Sequence, residues 1–244
     1  MRYFLDTTET IPSGVGFTHF GSIHLIWLCV TVVAIVLNCL LYRRLSDNGR
    51  RVWRYVIAAL LVADEIFKDV MLIIGDRFRP DYLPLHLCSI NIILIAVHAI
   101  KPSKILSGYL YTVGIPGAAA ALLFPSWTSL PVGNFMHLHS FTVHILLVLY
   151  PIVLTVSGEL RPSVKQLHKY LLLLVSMAIP IYGINLLLNT NFMFLMSADP
   201  GNPLYLFEQL WGSHLLGFPV LITAVLVVMY VPLTLWRKAK KLPI

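Results

Sequence analysis

Three cysteines and nine histidines carry most of the chemistry this chain could perform, and they are unevenly placed. Cys88 lies in the segment Leu83-Pro84-Leu85-His86-Leu87-Cys88-Ser89-Ile90-Asn91, and a second dense segment runs His137-Leu138-His139-Ser140-Phe141-Thr142-Val143-His144. A thiol alone is mostly protonated at neutral pH, and a neighbouring imidazole that takes its proton creates a nucleophile. A Cys88/His144 pair would suit acyl transfer through a thioester. The alternative for Cys88 is a small buried hydrophobe. Cys29 and Cys39 have no partner near them in sequence and read as packing residues, and a disulfide framework is not expected.

Further polar groups fall within apolar stretches, where they are expensive and therefore informative. Glu65, Lys68 and Asp69 follow an i, i+3, i+4 spacing on one helical face, and Asp64 is four residues from Lys68. They form either a structural ion cluster or the charged lining of a polar cavity. His19, His24, His86, His137, His139, His144 and His214 all fall at one depth of their segments, which suggests a shared polar pocket. Asn185, Asn189 and Asn191 surround a helix end, where they either hydrogen-bond a ligand or cap the helix and fix the loop. Gly114, Pro116 and Gly117 mark a kink or a close-packing site.

These residues must be positioned by membrane helices. Of the 244 residues 58% are hydrophobic and only 12% charged, against about 25% charged in soluble domains. Seven apolar segments stand out: Gly21–Tyr42, Trp53–Ile74, Leu83–Ile100, Ile105–Phe124, Phe135–Ser157, Tyr170–Leu188 and Ser213–Trp236. In hydrocarbon such segments must be helical, because backbone polar groups find no other partners there. The third and fourth are short and separated only by Lys101-Pro102-Ser103-Lys104, so six spans with one re-entrant piece is the competing count. Basic residues arbitrate. Alternating loops place fourteen lysines and arginines on one side and three on the other, which predicts seven spans with the N-terminus outside and the C-terminus cytoplasmic. The expected fold is an all-α polytopic helix bundle in the cell membrane. It has an outer segment 1–20, a membrane domain 21–236 and a basic tail 237–244. The N-terminus lacks the pattern of a cleavable signal peptide. The net charge of +7 is accounted for by helix ends and points to no nucleic acid. The loop Asn189–Gly212 is too apolar for a simple solvated loop and is expected at the membrane interface.

LPLHLCSIN, the run from His144 to Pro151, and INLLLNTNFMFL together resemble the YwaF-like family of bacterial membrane proteins, whose animal relatives are known as transmembrane protein 164. The similarity covers nearly the whole chain. It implies a membrane acyltransferase that moves a fatty acyl chain between phospholipids through a cysteine and a histidine, here Cys88 and His144. Phe192 and Phe194 stand where the family would carry tyrosines. On this reading His86 or His139 orients or assists the pair, Asn91 or Asn191 stabilises the oxyanion, membrane phospholipids are the partners, and no cofactor is needed. Two other readings stand beside it. One is an intramembrane zinc hydrolase with ligands drawn from His137, His139, His144, His214 and Asp69. The other is a non-enzymatic solute-binding protein or transporter built on the Glu65, Lys68 and Asp69 charges. The sequence leaves the oligomeric state open.

Overall fold

A computed structural model describes residues 2–198 and 202–239, with side chains up to residue 235. The last residues of the tail 237–244 and residues 199–201 lie outside the described residues. Among those described the chain is all helix and turn. Helices α1 (Ser22–Arg44) and α2 (Asp47–Ile74) are followed by a short 3₁₀ turn (Pro80–Tyr82) and α3 (Leu87–Ile100). Next come α4 (Lys104–Tyr109), a π turn (Leu110–Gly114) and α5 (Ile115–Leu123), which together make one interrupted helix. Then follow α6 (Phe135–Val156), α7 (Leu167–Leu188), α8 (Pro203–Trp211) and α9 (Gly217–Ala239).

Among the described residues, six helical stretches are long and apolar enough to cross a membrane. The exception is α2. Its 28 residues span roughly 42 Å at about 1.5 Å per residue, but its second half carries Asp64, Glu65, Lys68 and Asp69. The charges are turned inward. Glu65 and Lys68 are buried, while Ile66, Phe67, Val70, Ile73 and Ile74 form the exposed face. Such a helix is apolar outside and polar inside, the arrangement that intramembrane charges require. The chain is thus a multi-pass membrane protein of helical class.

Helix α6 is the central strut. Fourteen of its 22 residues are buried, and it packs against α1, α2, α3 and α5. Asn134 sets its first turn. The side-chain oxygen accepts from the backbone N–H groups of Met136 and His137, and its amide donates to the carbonyls of Tyr3 and Asp6. One residue therefore caps α6 and ties the N-terminal segment to it. Phe135 N–H to Phe4 O and Phe17 N–H to Thr128 O extend this attachment. Residues 2–20 thus cover the end of the bundle where α1, α3 and α6 begin, here termed the N-terminal face.

The kink expected around Gly114, Pro116 and Gly117 is the π turn. A proline inside a helix removes the bond to the carbonyl four residues back and its ring crowds that carbonyl. The turn before Pro116 widens to accommodate this, as π turns do. At the opposite face, Gly108 of α4 lies against the ring of Tyr170 on α7, and a Cβ there would overlap that ring.

Candidate active site

The sulfur of Cys88 and Nε2 of His144 are 3.2 Å apart. Cys88 is the second residue of α3, just inside the membrane domain at the N-terminal face, and His144 lies on α6 across from it. Both residues are half-buried. The imidazole has a fixed tautomer. Its Nδ1–H donates to the carbonyl of Ser140, one turn earlier on the same helix, at 2.6 Å. Nε2 is then left unprotonated toward the thiol, which donates its S–H to it. A hydrogen bond at one ring nitrogen sets the role of the other. Trp127 stacks flat on the ring, with centroids 5.2 Å apart and planes 17° from parallel. Thiol, imidazole and carbonyl thus form one hydrogen-bonded line, the geometry of a nucleophile–base pair.

Beside this pair runs an ionic network that joins three helices. Lys68 Nζ donates to Glu65 Oε1 at 2.7 Å and to the Tyr82 carbonyl at 3.0 Å, and it lies 3.2 Å from Asp69 Oδ1. The shared helical face of Glu65, Lys68 and Asp69 is therefore a salt-bridged unit. Asp64, four residues from Lys68, instead faces His139 Nδ1 at 3.4 Å, and His139 Nε2 is 3.8 Å from Glu65 Oε2. Ser89 donates to Glu65 Oε1 at 3.1 Å. The residue next to Cys88 is thereby anchored to α2, and the first turn of α3 is held in place.

Of the other histidines, His19, His24 and His137 gather around Phe17 and Phe141, and the rest lie apart from them. His24 accepts from Phe20 N–H at 2.8 Å and donates to Leu122 O at 2.7 Å. His137 accepts from the Trp27 indole N–H at 2.9 Å and donates to Leu130 O at 3.0 Å. Both rings are buried with both nitrogens used, and they join α1 to the end of α5 and to the loop before α6. His86 precedes α3 with its ring edge-on to Phe192, centroids 5.1 Å apart. It makes no hydrogen bond to Cys88 or His144. His214 is buried just ahead of α9 with Nε2 unpaired. Among the described residues no three His, Cys, Asp or Glu side chains are grouped to hold a metal. The zinc set of His137, His139, His144, His214 and Asp69 is divided among these separate contacts.

The asparagines divide in the same way. Asn185 accepts from Thr190 Oγ1 and Phe192 N–H and donates to Phe192 O. Asn191 accepts from Met196 and Ser197 N–H and donates to Ser197. Asn189 ends α7 in the left-handed conformation, φ +52°. All three fix the loop after α7. Asn91, by contrast, is 1% exposed and neither its oxygen nor its nitrogen has a partner. Cys39 packs against the core and Cys29, read as a packing residue, is exposed on the outside of α1.

The i, i+4 spacing of Ser140 and His144 is legible in the sequence, whereas Trp127 comes from a loop and no local pattern marks it. No curated protein and no solved structure matches this chain. The sequence model of the TMEM164 family matches residues 19–230, a range that includes both Cys88 and His144, and the chain belongs to that family.

Proposed function

We propose that this protein is a cysteine-dependent acyltransferase of membrane phospholipids. The observation that carries the reading is the 3.2 Å contact between Cys88 Sγ and an imidazole whose other nitrogen is held by Ser140 O. In the first half-reaction His144 Nε2 takes the S–H proton and the thiolate attacks the ester carbonyl of a phospholipid. The tetrahedral adduct collapses with cleavage of the C–O bond. The departing alkoxide takes the proton from His144 and leaves as a lysophospholipid, and the acyl group stays on Cys88 as a thioester. In the second half-reaction the hydroxyl of an acceptor lysolipid gives its proton to His144 and its oxygen attacks the thioester. The Cys88 thiolate leaves and regains that proton. Neither half needs a cofactor.

The topology proposed with this reading has seven spans, with α2 as the seventh alongside the six apolar ones. The N-terminus is outside and the tail inside, as the fourteen-to-three division of basic residues favours. The pair then opens toward the outer leaflet of the plasma membrane, in a YwaF-like branch of the family. The zinc-hydrolase reading lacks a gathered ligand set among the described residues. The solute-binding reading loses support because Lys68 is neutralised by Glu65 and Asp69.

The test is acyl exchange between labelled phospholipid and lysophospholipid by purified protein in vesicles. Exchange that resists chelators and disappears in Cys88→Ala supports the proposal. Exchange that survives Cys88→Ala contradicts it.

A further inference from the structure

Asn91, Tyr109 and Trp127 are neutral, non-histidine side chains that are buried with polar atoms lacking any hydrogen-bond partner. Trp127 touches the Cys88–His144 pair, and Asn91 and Tyr109 lie on packed elements around Cys88, α3 and α4. Asn91 is three residues after Cys88 on α3, one turn deeper into the membrane domain. Its amide nitrogen faces Gly114 of the π turn, where a Cβ would come within 4.0 Å of it. Tyr109 is the last residue of α4, fully buried, immediately before that π turn, and in electrostatic range of the Cys88 thiol. Trp127 stacks on His144.

A buried polar group without a partner costs about 1–3 kcal/mol, so such groups are seldom left at random. Two such donors on the elements around a thiol–imidazole pair are free to serve an acceptor that enters there. The charge state defines that acceptor. Asn91 and Tyr109 are uncharged, and the nearest buried cation, Lys68, is already held by Glu65, Asp69 and the Tyr82 carbonyl. A phosphate or free carboxylate would enter without compensation, whereas a neutral carbonyl accepts from both donors.

We infer that the Asn91 amide N–H and the Tyr109 hydroxyl together receive the carbonyl oxygen of the acyl ester attacked by Cys88. The Asn91 amide nitrogen lies beside Gly114, and Tyr109 immediately precedes that π turn, which packs against α3. The pair stabilises the oxyanion as the C–S bond forms, which makes the site specific for uncharged acyl esters over fatty acid anions. The Asn91 oxygen remains free to accept from the hydroxyl of the incoming lysolipid. This inference rests on Cys88 as nucleophile.

The experiment compares full-length wild type with Asn91→Leu and Tyr109→Phe, using two probes of similar chain length. A long-chain iodoacetamide alkylates a thiolate at a saturated carbon and makes no oxyanion, so it reads Cys88 and His144 alone. A p-nitrophenyl ester of a long fatty acid acylates Cys88 through an oxyanion. Both variants are expected to alkylate within about twofold of wild type and to acylate about 10²-fold more slowly, the loss typical of one missing oxyanion donor. Their thermal midpoints should be unchanged or raised, because no internal bond is lost. Wild-type acylation rates in both variants overturn the donor assignment while leaving Cys88 as nucleophile. A lowered midpoint in Asn91→Leu together with unchanged acylation gives Asn91 a structural role instead. Wild type that reacts at Cys88 with neither probe overturns the underlying reading, and the donor site with it.

Discussion

His144 and Ser140 sit one turn apart on α6, and the bond from Nδ1–H of the imidazole to the Ser140 carbonyl decides which nitrogen meets Cys88. In many triads a carboxylate performs this task. Here the backbone does it, so the orienting group cannot be removed by replacing its side chain. Ser140→Ala should alkylate at Cys88 within about twofold of wild type. His144→Gln keeps a polar group of similar reach but supplies no base, and should slow the reaction by about 10²-fold or more. Rates of iodoacetamide incorporation at a fixed pH measure both. Equal losses in the two variants would show that the serine hydroxyl, not the carbonyl, orients the ring.

Lys68 is buried between Glu65 and Asp69, so its removal strands acidic groups in the membrane domain. Lys68→Met should destabilise the protein by about 3–5 kcal/mol, the usual result of breaking one side of a buried pair. Lys68→Met combined with Glu65→Gln should recover part of that loss. Thermal unfolding in detergent follows the cycle. A double variant no better than Lys68→Met would contradict the pairing.

His137 has both ring nitrogens engaged and joins Trp27 of α1 to the loop before α6. His137→Phe keeps the ring but abandons the Trp27 N–H and the Leu130 carbonyl, at about 1–3 kcal/mol for each stranded group. The thermal midpoint should fall while the Cys88 alkylation rate of the folded fraction stays at the wild-type value. An unchanged midpoint with lost reactivity would make His137 part of the active site.

Gly108 lies against Tyr170, and α4 and α7 approach closely there. Gly108→Ala should cost about 1–3 kcal/mol through overpacking, and adding Tyr170→Leu should restore much of it. Denaturation of the single and double variants decides this. Additive losses would contradict direct contact.

The class of the protein was legible because membrane helices obey a strong local rule. A run of apolar residues must be helical, and each of the seven expected segments is met by a helix. The exception is instructive. Helix α2 falls short of the six apolar stretches because its second half carries Asp64, Glu65, Lys68 and Asp69, and only the packing shows these charges turned inward. The Cys88–His144 contact could be suspected from the equal depths of two segments, but depth says nothing about azimuth. The histidines show the same limit: His19, His24 and His137 gather around Phe17 and Phe141, while His86 meets Phe192 and His139 meets Asp64. Asn185 and Asn191 were indistinguishable from Asn91 by residue type. What separates them is whether a loop uses their polar atoms, a tertiary fact. Trp127 and Tyr109 enter from segments distant in sequence, where no spacing could have flagged them.

The most direct measurement is mass spectrometry of intact protein and its peptides after incubation with phospholipid vesicles and rapid acid quench, since acid preserves a thioester. The account predicts an acyl group on the peptide carrying Cys88, released by neutral hydroxylamine and absent from both Cys88→Ser and His144→Ala. Acylation confined to Cys29 or Cys39, or acyl exchange with no modified Cys88 at any quench time, would contradict it.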